Sequence, residues 1–402
     1  MKVLYIHQYF KTPNEPGGTR SYWISKELIR RGHQVVMIAS TNKNHPEEKV
    51  EMIDGIEVHY VKSDYNNYMS KVQKVQSFLR FMRKSIKEAS KINDADIVFA
   101  TSTPLTVGAV ALKLKKSKGF KYVFEVRDLW PEFPIQIGAI KNHLIIKVLR
   151  AFERKIYKNS EHVVALSPGM KDGVVAAGTP ESKVTMIPNM SKPDEFHPHE
   201  QNLEVAKQFG IDTSDFNIIH FGSMGPANSL DYIIEAAKLC QEQGLKDVKF
   251  IFMGDGATQP ILKKKVEQYG LTNVKFLGNH KMSVVSEVVN LCDLSITSFK
   301  NLPILATNSP NKLFDSLSAG KPIVVNSAGW TKDLAEEEEC GFFVDPDNPQ
   351  DFADKIKRYK DNKPLLEKWG KNARKLSETT FDKAILSSKV ADVIEKAANS
   401  SI

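Results

Sequence analysis

Two series of alternating strands and helices constrain the fold of this chain more than any other feature of its 402 residues. Short runs rich in β-branched and aromatic residues recur, and segments with helical spacing of apolar side chains lie between most of them. The runs of the first series are VLYIHQYF, VVMIAS, IEVHYV, ADIVFATS, YVFEV and HVVALS. Such alternation predicts a doubly wound parallel sheet.

A polar, proline-rich segment, IPNMSKPDEFHPHE, separates this series from a second one, whose first strands are NIIHFGS and VKFIFMGDG. We therefore predict an α/β chain with two Rossmann-like domains facing each other across a cleft. The first domain is predicted over 1–196, the linker over 197–205 and the second domain over 206–375. A C-terminal helix over 376–402 is predicted to pack back on the first domain. Ligands of parallel sheets bind outside the carboxyl ends of the strands, so we expect the site there.

Net charge is distributed unevenly. The whole chain carries +8, but residues 1–200 carry +10 and the remainder carries −2. A basic first half suggests an anionic partner, either nucleic acid or a membrane surface, although basic residues that merely solvate one domain would give the same balance. The sequence has no nucleic-acid reader motif, so we expect no nucleic-acid partner.

Localisation is predicted from cysteine usage and hydropathy. The three cysteines, Cys240, Cys292 and Cys340, are far apart and in no metal-ligand spacing, which favours a reducing cytoplasm. The start, MKVLYIHQYF, lacks a signal-peptide core, and no apolar stretch approaches bilayer length.

Glycine-bearing turns follow several predicted strands. Gly17-Gly18 precedes the first helix, but the surrounding sequence is not the GxGxxG pattern of dinucleotide-binding sites. The second domain has similar turns in GSMG, MGDG and LGN. Together these turns predict a rim of exposed backbone groups that suits a nucleotide. The candidate donor-binding residues in these turns are Gly18, Gly222, Ser223, Gly254, Gly278 and Asn279.

The stretch SPNKLFDSLSAGKPIVV predicts a helix capped by Ser309, followed by a buried strand. Lys312 then lies in the first turn, where a cation costs about 0.3–1 kcal/mol against the helix dipole. A bound diphosphate would make that cation favourable, and Asp315 would suit ribose hydroxyls. The alternative is a local Lys312–Asp315 pair, which contributes only about 0.2–0.5 kcal/mol.

Two further motifs have competing interpretations. In VRDLWPE, Arg127 and Asp128 end a strand at the expected cleft, where they are either catalytic or a structural salt-bridge hub. The DxD pattern at Asp94 and Asp96 precedes a strand, at the amino end of the sheet, so a turn or capping role is favoured over a metal site. His7 ends the first strand and is either packed or within reach of an acceptor.

The motifs EPGGTR, VRDLWPE, ALSPGM, IPN, GDG and SPNKLFDSLSAGKPIVV, in this order, resemble the retaining family-4 glycosyltransferases of the GT-B fold. The resemblance is to the bacterial O-antigen and capsule subgroup, which transfers N-acetylated amino sugars from UDP donors. It implies that Gly18 lies near the donor phosphates and that Asn311 and Lys312 hold the diphosphate, with Ser309 beside them. Of the family's two spaced glutamates, Asp315 replaces the second and Thr307 the first. The basic residue usual after the second domain's first strand is missing, and Lys300 is the candidate replacement.

These observations predict a transferase that moves a sugar, N-acetylated or deoxy, from UDP to a polyprenyl-diphosphate-linked acceptor, with retention implied by the resemblance. Lys312, Lys300, Arg20 and backbone N–H groups are expected to stabilise the departing UDP without a metal or other cofactor. Arg127 and Asp128 are the other catalytic candidates, with Asp128 as base. A UDP-sugar 2-epimerase and a non-catalytic, membrane-associated sugar-nucleotide sensor are the alternatives.

Basic amphipathic segments predict a peripheral position on the inner face of the plasma membrane. Residues 71–91 place an apolar stripe among seven lysines and arginines, and residues 141–158 repeat this pattern. Phe78 and Phe81 widen the first stripe, which favours residues 71–91 as the membrane helix. In the alternative, both stripes pack on the sheet.

Overall fold

The computed structural model of the chain describes residues 1–15, 17–66 and 69–400, which form two α/β domains. The first sheet contains β1 (Lys2–Ile6), β2 (Gln34–Ser40), β3 (Lys49–Ile53), β4 (Ile56–Val61), β5 (Ile97–Thr101), β6 (Lys121–Val126), β7 (His162–Ala165) and β8 (Val184–Met186). Their order across the sheet is β3-β4-β2-β1-β5-β6-β7-β8. All neighbours are parallel except β3 and β4.

The helices that cover this sheet are α1 (Arg20–Arg30), α2 (Lys71–Ala89), α3 (Val107–Lys118), α4 (Glu132–Gln136), α5 (His143–Asn159) and α6 (Pro168–Ala176). A single 3₁₀ turn, Glu181–Lys183, precedes β8. The strands β1 and β5 are buried on both faces, as the continuous apolar runs of their sequences predict.

The second sheet contains β9 (Phe216–Phe221), β10 (Val248–Met253), β11 (Val274–Gly278), β12 (Leu294–Thr297), β13 (Ile323–Val325) and β14 (Gly341–Phe343). All of its neighbours are parallel, in the order β11-β10-β9-β12-β13-β14. Its helices are α7 (Leu203–Phe209), α8 (Leu230–Glu242), α9 (Gln259–Tyr269), α10 (Met282–Asn290), α11 (Asn311–Ser318), α12 (Trp330–Glu337), α13 (Pro349–Tyr359) and α14 (Lys363–Thr379). The predicted α/β class with two Rossmann-like domains is confirmed.

Each sheet reverses its strand order beside its first strand. β1 lies between β2 and β5, and β9 lies between β10 and β12. A crevice opens outside the carboxyl ends of the strands at such a switch point, and it is the usual ligand position in doubly wound folds. The loops that follow β1 and β9 carry Gly18 and Gly222, so both glycine turns lie at these crevices.

The segment that joins the domains, residues 187–202 between β8 and α7, is attached to both of them. The guanidinium of Arg374 on α14 donates to the carbonyls of Pro193, Phe196 and Ser318. After α14 the chain forms a bridge between Ser191 and Asp382 and continues as α15 (Lys383–Asn399). Helix α15 packs on α1 of the first domain.

Candidate functional site

Two adjoining cavities lie at the carboxyl ends of the two sheets. The larger, of about 490 Å³, is lined by Gly17, Gly18, Phe221, Gly222, Ser223, Met253, Gly254, Asp255, Gly256, Asn279, His280, Met282, Val285, Asn311, Lys312 and Asp315. The smaller, of about 230 Å³, is lined by His7, Tyr9, Gly18, Thr103, Arg127, Asp128, Asn189, Ser309, Pro310 and Asn311. Gly18 and Asn311 line both cavities, so the two cavities adjoin at these residues. A further cavity of about 500 Å³, beside Lys321 and Arg374, shares no lining residue with either.

Close packing of the glycine turns explains their composition. Gly254 has φ +140°, and a Cβ there would lie 2.0 Å from the carbonyl oxygen of Gly222. A Cβ on Gly18 would lie 2.7 Å from Nδ2 of Asn311. Gly278 does not line the larger cavity, but its carbonyl accepts a 2.7 Å hydrogen bond from the N–H of Gly254 and so supports the rim. The backbone therefore comes close enough to line the cavity without side chains in the way.

Lys312 projects from the first turn of α11 into the larger cavity, with Nζ 3.3 Å from Nε2 of His220. Burial lowers the pKa of Lys312 to about 7. Burial, followed by the nearby Lys312, lowers the pKa of His220 well below its usual value, so the imidazole is neutral. None of the described carboxylates forms an ion pair with Lys312, which makes the amine available to an anion.

One prediction about α11 is wrong in detail, and the alternative pairing of Lys312 is not observed. Pro310, not Ser309, occupies the N-cap position, with no side-chain cap. The Ser309 hydroxyl instead accepts a 3.1 Å hydrogen bond from the backbone N–H of Asn189, across the domain boundary. The local Lys312–Asp315 pair does not form either, because Asp315 pairs with Lys192 at 2.9 Å. Ser309 lines the smaller cavity, and Lys312 and Asp315 line the larger.

Arg127 and Asp128 both reach the smaller cavity. The carboxylate of Asp128 accepts a 3.2 Å hydrogen bond from the Thr103 hydroxyl. Burial raises the pKa of Asp128 to about 6, although Arg127 and Thr103 oppose that shift. Nη1 of Arg127 lies 3.3 Å from Nε2 of His7, a buried ring whose pKa is lowered by burial and then by Arg127. Within the described residues neither Arg127 nor Asp128 takes part in an ion pair, and they contact His7 and Thr103 instead, so the salt-bridge hub of the alternative interpretation is not formed.

Besides Gly278, three predicted donor-binding residues lie outside both cavities. Arg20 is buried and donates from Nε to Glu125 at 2.8 Å. Its two terminal nitrogens donate to the carbonyls of Ile187 and Pro188. It is a structural cation under the site, and the expectation that it stabilises leaving UDP is wrong. Lys300 is exposed and its backbone N–H bonds to Ala227. The Thr307 hydroxyl donates to the carbonyl of Ile304, and its methyl packs near Gly169.

The DxD pattern has the capping role that its place in the sequence favours. The side chain of Asp94 pairs with the Lys2 ammonium at 2.7 Å, and that of Asp96 accepts from the Lys2 backbone N–H at 2.6 Å. Both contacts lie at the amino end of β1. Within residues 1–15, 17–66 and 69–400, no three His, Cys, Asp or Glu side chains are grouped as metal ligands would be.

Sequence reasoning missed several polar residues of the site. His220 sits in an apolar strand directly before a glycine turn, and a polar side chain at that position is a usable signal. Asn189 lines the smaller cavity and donates from its amide to the carbonyl of Ser309. Lys192, which pairs with Asp315, gives no local signal, since its partner is distant in sequence.

Two helices of the first domain expose apolar side chains in their N-terminal halves. These are Val72, Val75 and Leu79 of α2, exposed by 66%, 53% and 37%, and Leu144, Ile145 and Val148 of α5, exposed by 70%, 50% and 59%. Further along α2, Phe81 is fully buried, and the Phe78 ring packs on Tyr65 and Trp130. The expectation that Phe78 and Phe81 widen the exposed stripe is therefore wrong. None of the described helices is long and apolar enough to cross a bilayer.

The two doubly wound α/β domains, with adjoining cavities at the carboxyl ends of their sheets, define the GT-B class of fold. Residues 17–194 match the model described as Glycosyltransferase Family 4, and residues 202–376 match the model described as Glycosyl transferases group 1. Together the two models account for most of the chain. The chain therefore belongs to the family of glycosyltransferases that combine these two domains, and it is a hexosyltransferase-type enzyme.

Three similar proteins agree with this assignment. A probable glycosyltransferase of Pseudomonas aeruginosa, WbjE, is 22% identical over 83% of this chain and 84% of its own length. WcaI of Escherichia coli, described as a putative colanic acid biosynthesis glycosyl transferase, is 24% identical over 67% of this chain and 66% of its own. The solved structure of Anabaena HepE with UDP and glucose has a TM-score of 0.73 and 18% identity, covering 98% of this chain and 99% of that one.

Proposed function

We propose that this enzyme transfers a sugar from a UDP donor to a polyprenyl-diphosphate-linked glycan acceptor, in the synthesis of a bacterial surface polysaccharide. The observation that carries the proposal is Lys312, a partly buried amine with no carboxylate partner among the described residues, at the N-terminus of α11 in the larger cavity. An amine in that position is unfavourable in an empty protein and favourable against a diphosphate.

The lining of the larger cavity supports a position for the donor. The diphosphate lies between Gly18, the side chain of Asn311, the ammonium of Lys312 and the backbone N–H groups of Asn311 and Lys312, at the start of α11. Asp315 accepts from the ribose hydroxyls, and the rim around Gly254 and Asn279 holds the base. The similarity in fold to Anabaena HepE, solved in complex with UDP and glucose, supports a UDP-type donor.

The transferred sugar extends past Gly18 and Asn311, which both cavities share, toward Asp128. Asp128, with its pKa raised by burial to about 6, is ionised at neutral pH and basic enough to take a proton from an acceptor hydroxyl. Lys312 and the α11 N–H groups stabilise the charge that develops on UDP, and Arg127 adds a positive charge beside the reacting sugar. Transfer with retention is part of this proposal and rests on the resemblance to family-4 enzymes.

The donor sugar is proposed to be an N-acetylated amino sugar or a deoxy sugar. Thr307 stands where the family usually has its first glutamate, and it turns away from both cavities toward Ile304 and Gly169. A sugar that lacks a hydroxyl, or carries an acetamido group in its place, does not need a carboxylate there.

The acceptor is proposed to reach the smaller cavity from the inner face of the plasma membrane. The exposed apolar side chains of α2 and α5 lie on helices rich in lysine and arginine, a composition that fits anionic lipid. The Tyr9 ring, which lines the smaller cavity, packs on Tyr65, and Tyr65 packs on Phe78 of α2. Contacts between aromatic rings thus connect the candidate membrane helix to the candidate acceptor site.

The test is a thermal-shift and mass-spectrometry screen of UDP- and GDP-sugars, followed by product analysis with lipid-diphosphate acceptors. The proposal expects stabilisation by UDP-sugars and an acceptor heavier by one sugar, with release of UDP. Conversion of a UDP-sugar into its epimer without any acceptor would instead identify an epimerase. Binding of a UDP-sugar without turnover on any acceptor would identify a sensor.

A further inference from the structure

Lys192 and Asp315 form a buried ion pair at the boundary of the larger cavity. Nζ of Lys192 lies 2.9 Å from Oδ1 of Asp315, and the two side chains are only 5% and 4% exposed. Asp315 belongs to α11 and lines the cavity, whereas Lys192 belongs to the segment that joins the two domains. A pair this buried needs good geometry to compensate for the loss of water around both charges.

The surroundings fix Lys192 on the helix that carries its partner. The backbone N–H of Lys192 donates to the Ser318 hydroxyl at 2.9 Å, and the ammonium lies over the Phe196 ring. Glu195 is the next carboxylate, at 3.9 Å. Burial alone lowers the pKa of Lys192, but Asp315 and Glu195 outweigh it and raise that pKa. Burial raises the pKa of Asp315, and Lys192 opposes this.

The chemistry of ribose recognition depends on which form of Asp315 is present. An ionised carboxylate is acceptor-only with about four lone-pair sites, so one ammonium leaves room for ribose hydroxyl donors. A protonated carboxyl is itself a donor and binds hydroxyls more weakly. Without Lys192, the buried Asp315 would lose the nearest cation that keeps it ionised.

Resting on the proposed function, in which Asp315 meets the donor ribose, we propose that Lys192 is a positioning residue for donor specificity. It holds Asp315 in the ionised, acceptor-only form and thereby makes the enzyme prefer ribose to 2′-deoxyribose donors. The linker between the domains thus takes part in nucleotide selection through a residue that does not touch the nucleotide.

The experiment compares the dissociation constants of UDP and 2′-deoxy-UDP by titration calorimetry, for the full chain and its variants. In the parent we expect 2′-deoxy-UDP to bind at least roughly tenfold more weakly, the range for a hydrogen bond lost from a charged group. Lys192→Met is expected to weaken UDP binding and reduce this ratio to within about threefold, as is Asp315→Asn. In the Asp315→Asn background, Lys192→Met should change the ratio no further, because Lys192 acts through Asp315.

Lys383→Met is the matched control. Lys383 pairs with Asp194 and Glu195 in the same network, but it has no ion pair with Asp315, so the ratio should stay at the parent value. Lys192→Arg should retain much of the preference, and Lys192→Gln gives the neutral comparison if the Met variant does not fold. A parent-like ratio of the 2′-deoxy-UDP and UDP dissociation constants in a folded Lys192→Met or Lys192→Gln protein would overturn this proposal. It would not affect the proposed function, in which the larger cavity binds UDP. Failure of the parent to bind UDP would instead overturn the proposed function.

Discussion

The side-chain nitrogen of Lys312 and Nε2 of His220 lie 3.3 Å apart, two basic groups facing each other where Lys312 enters the larger cavity. Burial lowers the pKa of Lys312 to about 7, and the pKa of His220 lies well below its usual value. Neither group compensates for the other's charge. Lys312 therefore has no anionic partner among the described residues of the free protein. It lies where the proposed function puts a diphosphate.

Donor binding is expected to take up a proton. With its pKa near 7, Lys312 is mostly neutral in the free protein at about pH 8, and a diphosphate raises that pKa. Calorimetry of UDP-glucose binding in buffers of different ionisation enthalpy should show uptake approaching one proton near pH 8 and almost none near pH 6. UDP-glucose is used because its phosphates do not titrate in this range. The same proton uptake should be measured for Lys312→Met. If proton uptake on UDP-glucose binding is equal in Lys312→Met and the parent, the proton belongs to another group.

Asp128→Asn is expected to lower kcat by roughly 10²–10⁴, the usual range for loss of a general base, with little change in UDP affinity. In the parent, kcat/KM should fall as pH decreases through about 6, because protonated Asp128 cannot accept a proton. Asp94→Asn, at the amino end of the first sheet, is the control. Retention of most of the turnover and of the acidic limb by Asp128→Asn would exclude Asp128 as the base.

Transfer is expected to proceed without a divalent metal, because Lys312 and the α11 N–H groups supply the positive charge that faces the leaving diphosphate. The measurement is turnover after dialysis against excess EDTA, compared with turnover after addition of Mg²⁺ or Mn²⁺. Loss of activity in EDTA that either metal restores would contradict this expectation.

Anionic vesicles are expected to sediment the protein at low salt, and binding should fall as salt rises. Replacing the exposed Arg80 and Arg83 of α2 by Glu should weaken this binding, whereas Lys84 is left unchanged because it pairs with Glu48. Lys263 and Lys264 replaced by Glu on the second domain are the charge-matched control. A parent that stays in the supernatant with anionic vesicles at low salt would remove the membrane from the account.

The sequence predicted the elements with strong local patterns and missed contacts made over long distances in the chain. β1 and β9 are buried strands that are followed, before the first helix of their sheets, by loops with glycine turns, which locates both crevices. The antiparallel edge strand Lys49–Ile53 was missed because two of the five residues in its sequence, KVEMI, are charged and its side chains stay partly or fully exposed. Arg20 was misassigned because its partner, Glu125, lies on a distant strand, and no local spacing reveals a buried pair of that kind.

The same limit applies to the site. The glycine turns, Asn311 and Lys312 could be predicted from strand ends and from the helix dipole. The Asp315–Lys192 pair could not, since it depends on how the linker returns along α11. The N-cap was misread because Ser309 forms its hydrogen bond with Asn189 of the linker segment, and not with the helix.

The UDP affinity of Lys312→Ala measures whether the amine of Lys312 holds a nucleotide diphosphate, with Lys300→Ala as the control outside both cavities. We predict that Lys312→Ala weakens UDP binding by about 1.5–3 kcal/mol, the range for a hydrogen bond to a charged group. We also predict that Lys300→Ala binds UDP like the parent, and that the melting temperature of free Lys312→Ala near pH 7 is unchanged or higher. Equal UDP affinity in Lys312→Ala and the parent would show that this amine does not hold the diphosphate.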